Sequence, residues 1–186
     1  MTEYKKTPIE GVLLIEPATY FDERGHFLEM WSRTQFERMK LSYDFTQDNC
    51  SFSKKGVLRG LHFQYPPHAQ AKLVRCSSGA VYDVAVDLRS NSPTYGQYTS
   101  AVLSSENRRM LLIPEGCAHG FLSLDDAHFC YKVTGTYQIE YEGGIRYDDP
   151  SINIKWPFDP LIVSQKDQAL GWFKFINPYN KNAINI

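Results

Sequence analysis

Ala80-Val81-Tyr82-Asp83-Val84-Ala85-Val86-Asp87-Leu88 reads as a strand with two different faces. Side chains alternate along an extended chain, so Ala80, Tyr82, Val84, Val86 and Leu88 point one way and Val81, Asp83, Ala85 and Asp87 the other. The second face carries two carboxylates. On a solvated sheet that is ordinary. Inside a barrel Asp83 needs a cation, and Lys72 on the preceding segment is the candidate. Similar short runs, broken by Gly, Pro, Asn and Asp, lie on both sides: Val12 to Glu16, His26 to Trp31, Val57 to Gln64, Lys72 to Cys76, Tyr98 to Leu103, Met110 to Ile113, Gly120 to Leu124 and Phe129 to Thr134. That rhythm predicts a mainly β, antiparallel sandwich or barrel. Helix is a minor component. Arg33 to Lys40, with Phe36 and Met39 three apart, predicts a short surface helix, and Ser104 to Arg109 a turn. Ser164 and Asp167 have capping-box spacing, so a second helix is expected to begin near Ser164.

A chain of 186 residues suffices for one well-packed domain, and no repeat, low-complexity segment or Pro/Gly/Ser-rich linker divides it, so a single domain over 1–186 is expected. Aromatic residues make up 14%, with 12 Tyr and 11 Phe, which is ample material for a sheet-rich core. The net charge of -1 excludes a broad electrostatic footprint for nucleic acid but leaves room for a local Arg/Lys cluster around a small phosphate-bearing ligand. Met1 to Pro8 has no apolar core of signal-peptide type, and no later run approaches a membrane span, so a soluble, cytoplasmic protein is expected. Cys50, Cys76, Cys117 and Cys130 show no Cys-x-x-Cys spacing, which predicts reduced, partly buried thiols rather than a zinc site or a disulfide scaffold.

Gly56-Val57-Leu58-Arg59-Gly60-Leu61-His62 and, ten positions on, Lys72 place a potential base and a positive charge on neighbouring strand-like segments. A histidine takes a proton while an ammonium stabilises the negative charge left behind. Strict alternation sets His62 and Gln64 opposite Arg59, Leu61 and Phe63, so Arg59 and His62 share a pocket only if Gly60 supplies a bulge or twist. Further on, Pro114-Glu115-Gly116-Cys117-Ala118-His119 has a Pro-x-Gly-x-x-His pattern that resembles the second motif of cupin barrels. Many cupins hold a metal through a His-x-His pair, but here Gln64 stands where the second histidine belongs. A first-row metal needs three or four convergent donors, so a cupin-like barrel without metal is the better fit.

More stretches join these in order: Phe21 to Glu29, Gln47-Asp48-Asn49, Ala69 to Arg75, Asp83 to Asp87, Phe129-Cys130-Tyr131-Lys132, Asp148 to Pro157, and Ser164-Gln165-Lys166-Asp167. Together, in one register over roughly residues 9 to 170, they resemble the dTDP-4-dehydrorhamnose 3,5-epimerase family. The resemblance implies a cupin-like antiparallel β-sandwich (jelly roll) with few short helices. It also implies inversion of C3 and C5 of dTDP-4-keto-6-deoxy-D-glucose by deprotonation next to the ketone, with no metal and no cofactor. By the same resemblance His62 is the base, Asp167 its orienting partner, Lys72 the enolate stabiliser and Tyr131 the acid on the opposite face. Taken singly, each has a plainer reading: a structural histidine, a helix cap, a solvated strand lysine and core filling.

Substrate contacts implied by the family fall on Arg24, Glu29, Gln47, Asp48, Asn49, Arg59, Lys72, His119, Glu142 and Lys166, with arginine and lysine facing the diphosphate. Arg24, Glu29, Glu142 and Lys166 could equally be ordinary surface ion pairs. His26, His68 and His128 match no family role. The family is dimeric, which implies a homodimer whose sites borrow Arg24 and Glu29 from the neighbour. One departure bears on regiochemistry: relatives commonly carry two adjacent tyrosines after the catalytic one, and Thr136-Tyr137 keeps only the second. A C3-only or C5-only epimerase is therefore an alternative, with a metal-dependent cupin enzyme and a non-catalytic sugar-nucleotide binder behind it. The aromatic tail from about residue 171 is expected to cover the domain or a subunit interface.

Overall fold

The computed structural model describes residues 2–176 and Tyr179. In chain order the strands are β1 (Glu3–Lys6), β2 (Leu13–Glu16), β3 (Thr19–Asp22), β4 (Gly25–Leu28), β5 (Phe45–Ser53), β6 (Val57–Gln64), β7 (Lys72–Ser78), β8 (Ala80–Asp87), β9 (Tyr98–Ser104), β10 (Met110–Ile113), β11 (Cys117–Ser123), β12 (Ala127–Thr134), β13 (Glu142–Gly144) and β14 (Ile162–Val163). Two short helices accompany them, α1 (Arg33–Arg38) and α2 (Gln165–Gln168). One sheet runs β1-β2-β10-β7-β12-β5 and the other β13-β6-β11-β8-β9, with β14 parallel to β6 and β3-β4 a separate hairpin. The fold is thus mainly β, a cupin-like antiparallel sandwich.

Three apolar layers hold it. Val74, Leu111, Ile113 and Phe129 from the first sheet meet Val81, Ala85, Leu103 and Phe121 from the second, and these form the central core. The second sheet's outer face, with Leu61, Phe63, Val84 and Val86, is covered by Ile145, Ile152 and Trp156 of the following segments. The first sheet's outer face, with Leu13, Ile15, Leu73, Met110 and Leu112, is covered by Phe36 of α1 and by Met30, Trp31 and Met39. β10 is buried on both faces, which explains its unbroken apolar sequence. The alternation expected for Ala80 to Leu88 holds, because Val81 and Ala85 enter the central core while Val84, Val86 and Leu88 enter the outer layer.

Differences from the expected elements have local causes. β4 stops at Leu28, since Met30 and Trp31 turn inward to join the outer layer. α1 ends at Arg38, two residues before Lys40, whose φ of 60° is left-handed; Ser32 caps the start by accepting from Gln35 N. The tail as far as Ile176 returns to the second sheet's outer layer: Gly171 bridges Ile145, and Phe173 and Ile176 pack there. Apart from Tyr179, the remainder of the expected tail lies outside the described residues. No helix among the described residues is long and apolar enough to cross a membrane.

Candidate active site

A cleft opens between the two sheets at one end of the sandwich. Its two lobes, about 280 and 520 Å³, share His62, Lys72 and Tyr131 as common walls. His62 comes from β6 of one sheet, while Lys72 and Tyr131 come from β7 and β12 of the other. A base and a phenol therefore face one space from opposite sheets.

The bulge required at Gly60 is present. His119 of β11 pairs with His62 and Phe121 pairs with Arg59, so β6 spends one more residue than β11 between those points. Gly60 takes φ +120°, a conformation that L side chains rarely adopt. The extra residue resets the alternation, and Arg59 and His62 line the same lobe while Leu61 and Phe63 go to the outer core.

His62 Nε2 lies 2.8 Å from Asp167 Oδ1, and the other carboxylate oxygen accepts from Gly60 N at 3.1 Å. Ser164 accepts from Asp167 N at 3.1 Å, so the expected cap forms on the hydroxyl side. The carboxylate does not return to close a capping box. Burial disfavours the Asp167 anion, but hydrogen bonds from His62, Gly60 and Ser164 outweigh it and hold the carboxyl below its ordinary range. Asp167 thus remains an anion that orients the imidazole and stabilises it once protonated.

Lys72 Nζ donates to His62 O at 3.2 Å and makes no ion pair among the described residues. Burial lowers its pKa to about 8 against the raising charges of Asp83 and Glu142. At contact distance Asp83 meets an imidazole rather than the expected ammonium: His119 Nε2 sits 2.9 Å from Asp83 Oδ2, burial lowers the His119 pKa and raises that of Asp83, and Lys72 acts on Asp83 only through space. The reason is register. Phe121 pairs with Asp83 and His119 with Ala85, which makes His119 a diagonal neighbour within the same sheet. Burial pushes the Tyr131 phenol up, with Arg59 opposing, so it stays protonated at neutral pH.

The other expected contacts divide into two groups. Gln47 and Asn49 line the smaller lobe and are joined by a 2.8 Å bond; Glu142 lines it too, while Arg59, His119 and Lys166 line the larger. Glu142 accepts from Lys166 Nζ at 2.7 Å and from Tyr137 Oη at 3.0 Å, spanning the mouth of the cleft. Arg59 crosses between sheets to donate to Ser53 Oγ at 2.9 Å. Asp48 points to the other face of β5, where it pairs with Lys132 at 2.7 Å. Arg24 pairs with Asp22 on the β3-β4 hairpin, and Glu29 accepts from Ser32 Oγ at 2.9 Å; neither lines the cleft within one protomer. Tyr137, Gln70 and Ser51 line the cleft without having been singled out as contacts. Ser51 and Gln47 share the period-2 face of Asn49, the signal that could have found it.

Thr136, the departure noted above, is exposed and does not line either lobe. Gln64, where a metal-binding histidine would stand, donates to His68 O at 2.9 Å and accepts from Gln138 N at 2.7 Å, so its amide serves the loops. Among the described residues no three His, Cys, Asp or Glu side chains are grouped to hold a metal ion.

Fold and site together define a cupin-like isomerase that moves protons at carbon. A sequence model of the dTDP-4-dehydrorhamnose 3,5-epimerase family matches residues 6–174. A protein of that name from Methanothermobacter thermautotrophicus is 51% identical over 174 residues, covering 90% of this chain and 94% of its own. The Salmonella typhimurium protein of that name is 52% identical over 167 residues, covering 88% and 91%. The crystal structure of the Legionella pneumophila epimerase in complex with dTDP-4-keto-L-rhamnose superposes with a TM-score of 0.91 at 42% identity, covering 97% of this chain and 100% of that one. The chain belongs to the dTDP-4-dehydrorhamnose 3,5-epimerase family.

Proposed function

We propose that the protein inverts C3 and C5 of dTDP-4-keto-6-deoxy-D-glucose, giving dTDP-4-dehydro-L-rhamnose, with His62, Lys72, Asp167 and Tyr131 as its proton-transfer machinery. A proton next to a ketone is a weak acid, so its removal needs a base and a stabilised enolate. His62 takes the proton; Asp167 holds the tautomer and the resulting imidazolium. Lys72 faces the oxygen on which negative charge develops. Tyr131 returns a proton from the opposite face, which inverts the carbon. Only protons move, so the chemistry calls for no redox cofactor, and Lys72 supplies the positive charge at the enolate oxygen.

The observation that carries this reading is the placement of base and acid on opposite sheets of one cleft, with a lysine beside them. Arg59 and Lys166 suit the diphosphate, and Gln47, Asn49, His119 and Glu142 the remaining polar groups of substrate. The smaller lobe keeps Tyr137 as its aromatic wall, and Thr136 is turned away from it, which favours inversion at both carbons over one.

Incubation with dTDP-4-keto-6-deoxyglucose in deuterium oxide tests the assignment. Deuterium is expected to enter the sugar next to the ketone, and His62→Ala to lose that exchange; exchange undiminished in the variant would refute His62 as the base.

Within the same reading the 186 residues act as one domain in the cytoplasm, on a small molecule rather than on nucleic acid or a membrane. The protein works as a homodimer. Tyr20, Phe21 and Phe27 of the β3-β4 hairpin are 64%, 68% and 70% exposed, an apolar surface that a second copy would cover while bringing Arg24 and Glu29 near the partner's site. Light scattering at micromolar concentration is expected to give a dimer mass; a monomer would count against it.

A further inference from the structure

Two cysteines outside the cleft stand directly opposite each other across β5 and β12. Cys50 and Cys130 are paired in register, and their sulfurs are 3.3 Å apart. Directly opposed residues of an antiparallel pair have Cα atoms about 4.5 or 5.5 Å apart, and both separations fall inside the range a disulfide spans. Cys50 is exposed and Cys130 half-buried, whereas Cys76 and Cys117 are buried. Burial keeps the Cys76 and Cys117 thiols away from solvent oxidants and pushes them up to about 11 and about 12. The hydrogen bond with Cys130 holds the Cys50 thiol above its ordinary range, opposed by the guanidinium of Arg75 on the same face, so what sets this pair apart is exposure and the closeness of the two sulfurs.

We propose that Cys50 and Cys130 form a reversible disulfide clasp that closes under peroxide and opens with thiol reductants. Peroxide meets Cys50, the more exposed sulfur, as its thiolate; an oxygen is transferred, the O–O bond breaks, and a sulfenic acid and water result. Cys130 then attacks the Cys50 sulfur, the S–O bond breaks, and a second water leaves. The net change is two thiols and one hydrogen peroxide to one disulfide and two waters. In a reducing compartment the pair rests as a dithiol, and an exposed cross-strand bond is of the labile kind.

The place of the clasp gives it a consequence. β5 is an edge strand whose described ladder is to β12 alone, and the residues next to the two cysteines, Asn49 and Tyr131, are themselves paired and face the cleft. Closing the bond fastens the wall that carries Gln47 and Asn49 to the strand that carries Tyr131.

The reduced full-length protein, exposed to hydrogen peroxide, alkylated and digested without reductant, tests this. The expected result is a Cys50–Cys130 linked peptide, a fall from four free thiols to two, and a melting temperature raised by roughly 5–10 °C, all reversed by dithiothreitol. Cys50→Ser is expected to give neither the peptide nor the shift. Four thiols still free, Cys50 carried to sulfinic or sulfonic acid without a link, a bond between two chains, or a linked peptide with an unchanged melting temperature would each overturn the proposal.

Discussion

At Lys72, burial lowers the ammonium's pKa to about 8, while an unfolded chain keeps that proton until about 10.5. Between those values the unfolded form binds more protons, so stability rises with pH through that window as the native cation is discharged. Below it, the fold carries a costly buried charge that the chemistry needs. Lys72→Met is therefore expected to raise unfolding stability at pH 7 by about 1–3 kcal/mol while lowering turnover by about 10²–10³-fold. Denaturant melts beside steady-state rates would check both. In the wild type, kcat/KM should fall on the alkaline side near pH 8 as the ammonium is lost. His62 and Lys72 were legible in the sequence as base and cation. Their partners were only partly so: Asp83 takes His119 because two strands of one sheet lie side by side, a register that no local pattern displays.

Among the elements, β6 and β5 carry most of the site. β6 was legible to the residue, Val57–Gln64, and so was the need for a bulge at Gly60, because alternation alone would have split Arg59 from His62. A Cβ at Gly60 would lie 2.6 Å from Gly120 Cα and 2.8 Å from His119 O, in a backbone conformation unsuited to side chains. Gly60→Ala is thus expected to cost about 2–4 kcal/mol and, in whatever fraction folds, to misplace His62 and lower kcat. Calorimetry with kinetics would check this, and an unaltered enzyme would contradict it. β5, by contrast, was not read as a strand. Its inward residues Gln47, Asn49, Ser51 and Ser53 line or border a polar cleft and its outward face includes Asp48 and Cys50, so neither face shows the apolar alternation by which strands announce themselves. Function had replaced the hydrophobic signal with a polar one of the same period.

For the whole molecule, the decisive property is that two sheets deliver opposing groups to one space. The sandwich was legible from the rhythm of short apolar runs and turn residues. The layering was not, because whether β10 faces one core or two depends on α1 and on Trp31 folding back over the first sheet. The same architecture makes base and acid separable. Removing the phenol on one sheet leaves intact His62 on the other and its partner Asp167 on α2. The most direct measurement is proton NMR of dTDP-4-keto-6-deoxyglucose with Tyr131→Phe in deuterium oxide, compared with the wild type. The account predicts deuterium at C3 and C5 with inversion in the wild type, and in the variant exchange that persists while inversion falls by about 10²-fold or more. Inversion at the wild-type rate without the Tyr131 hydroxyl would contradict it.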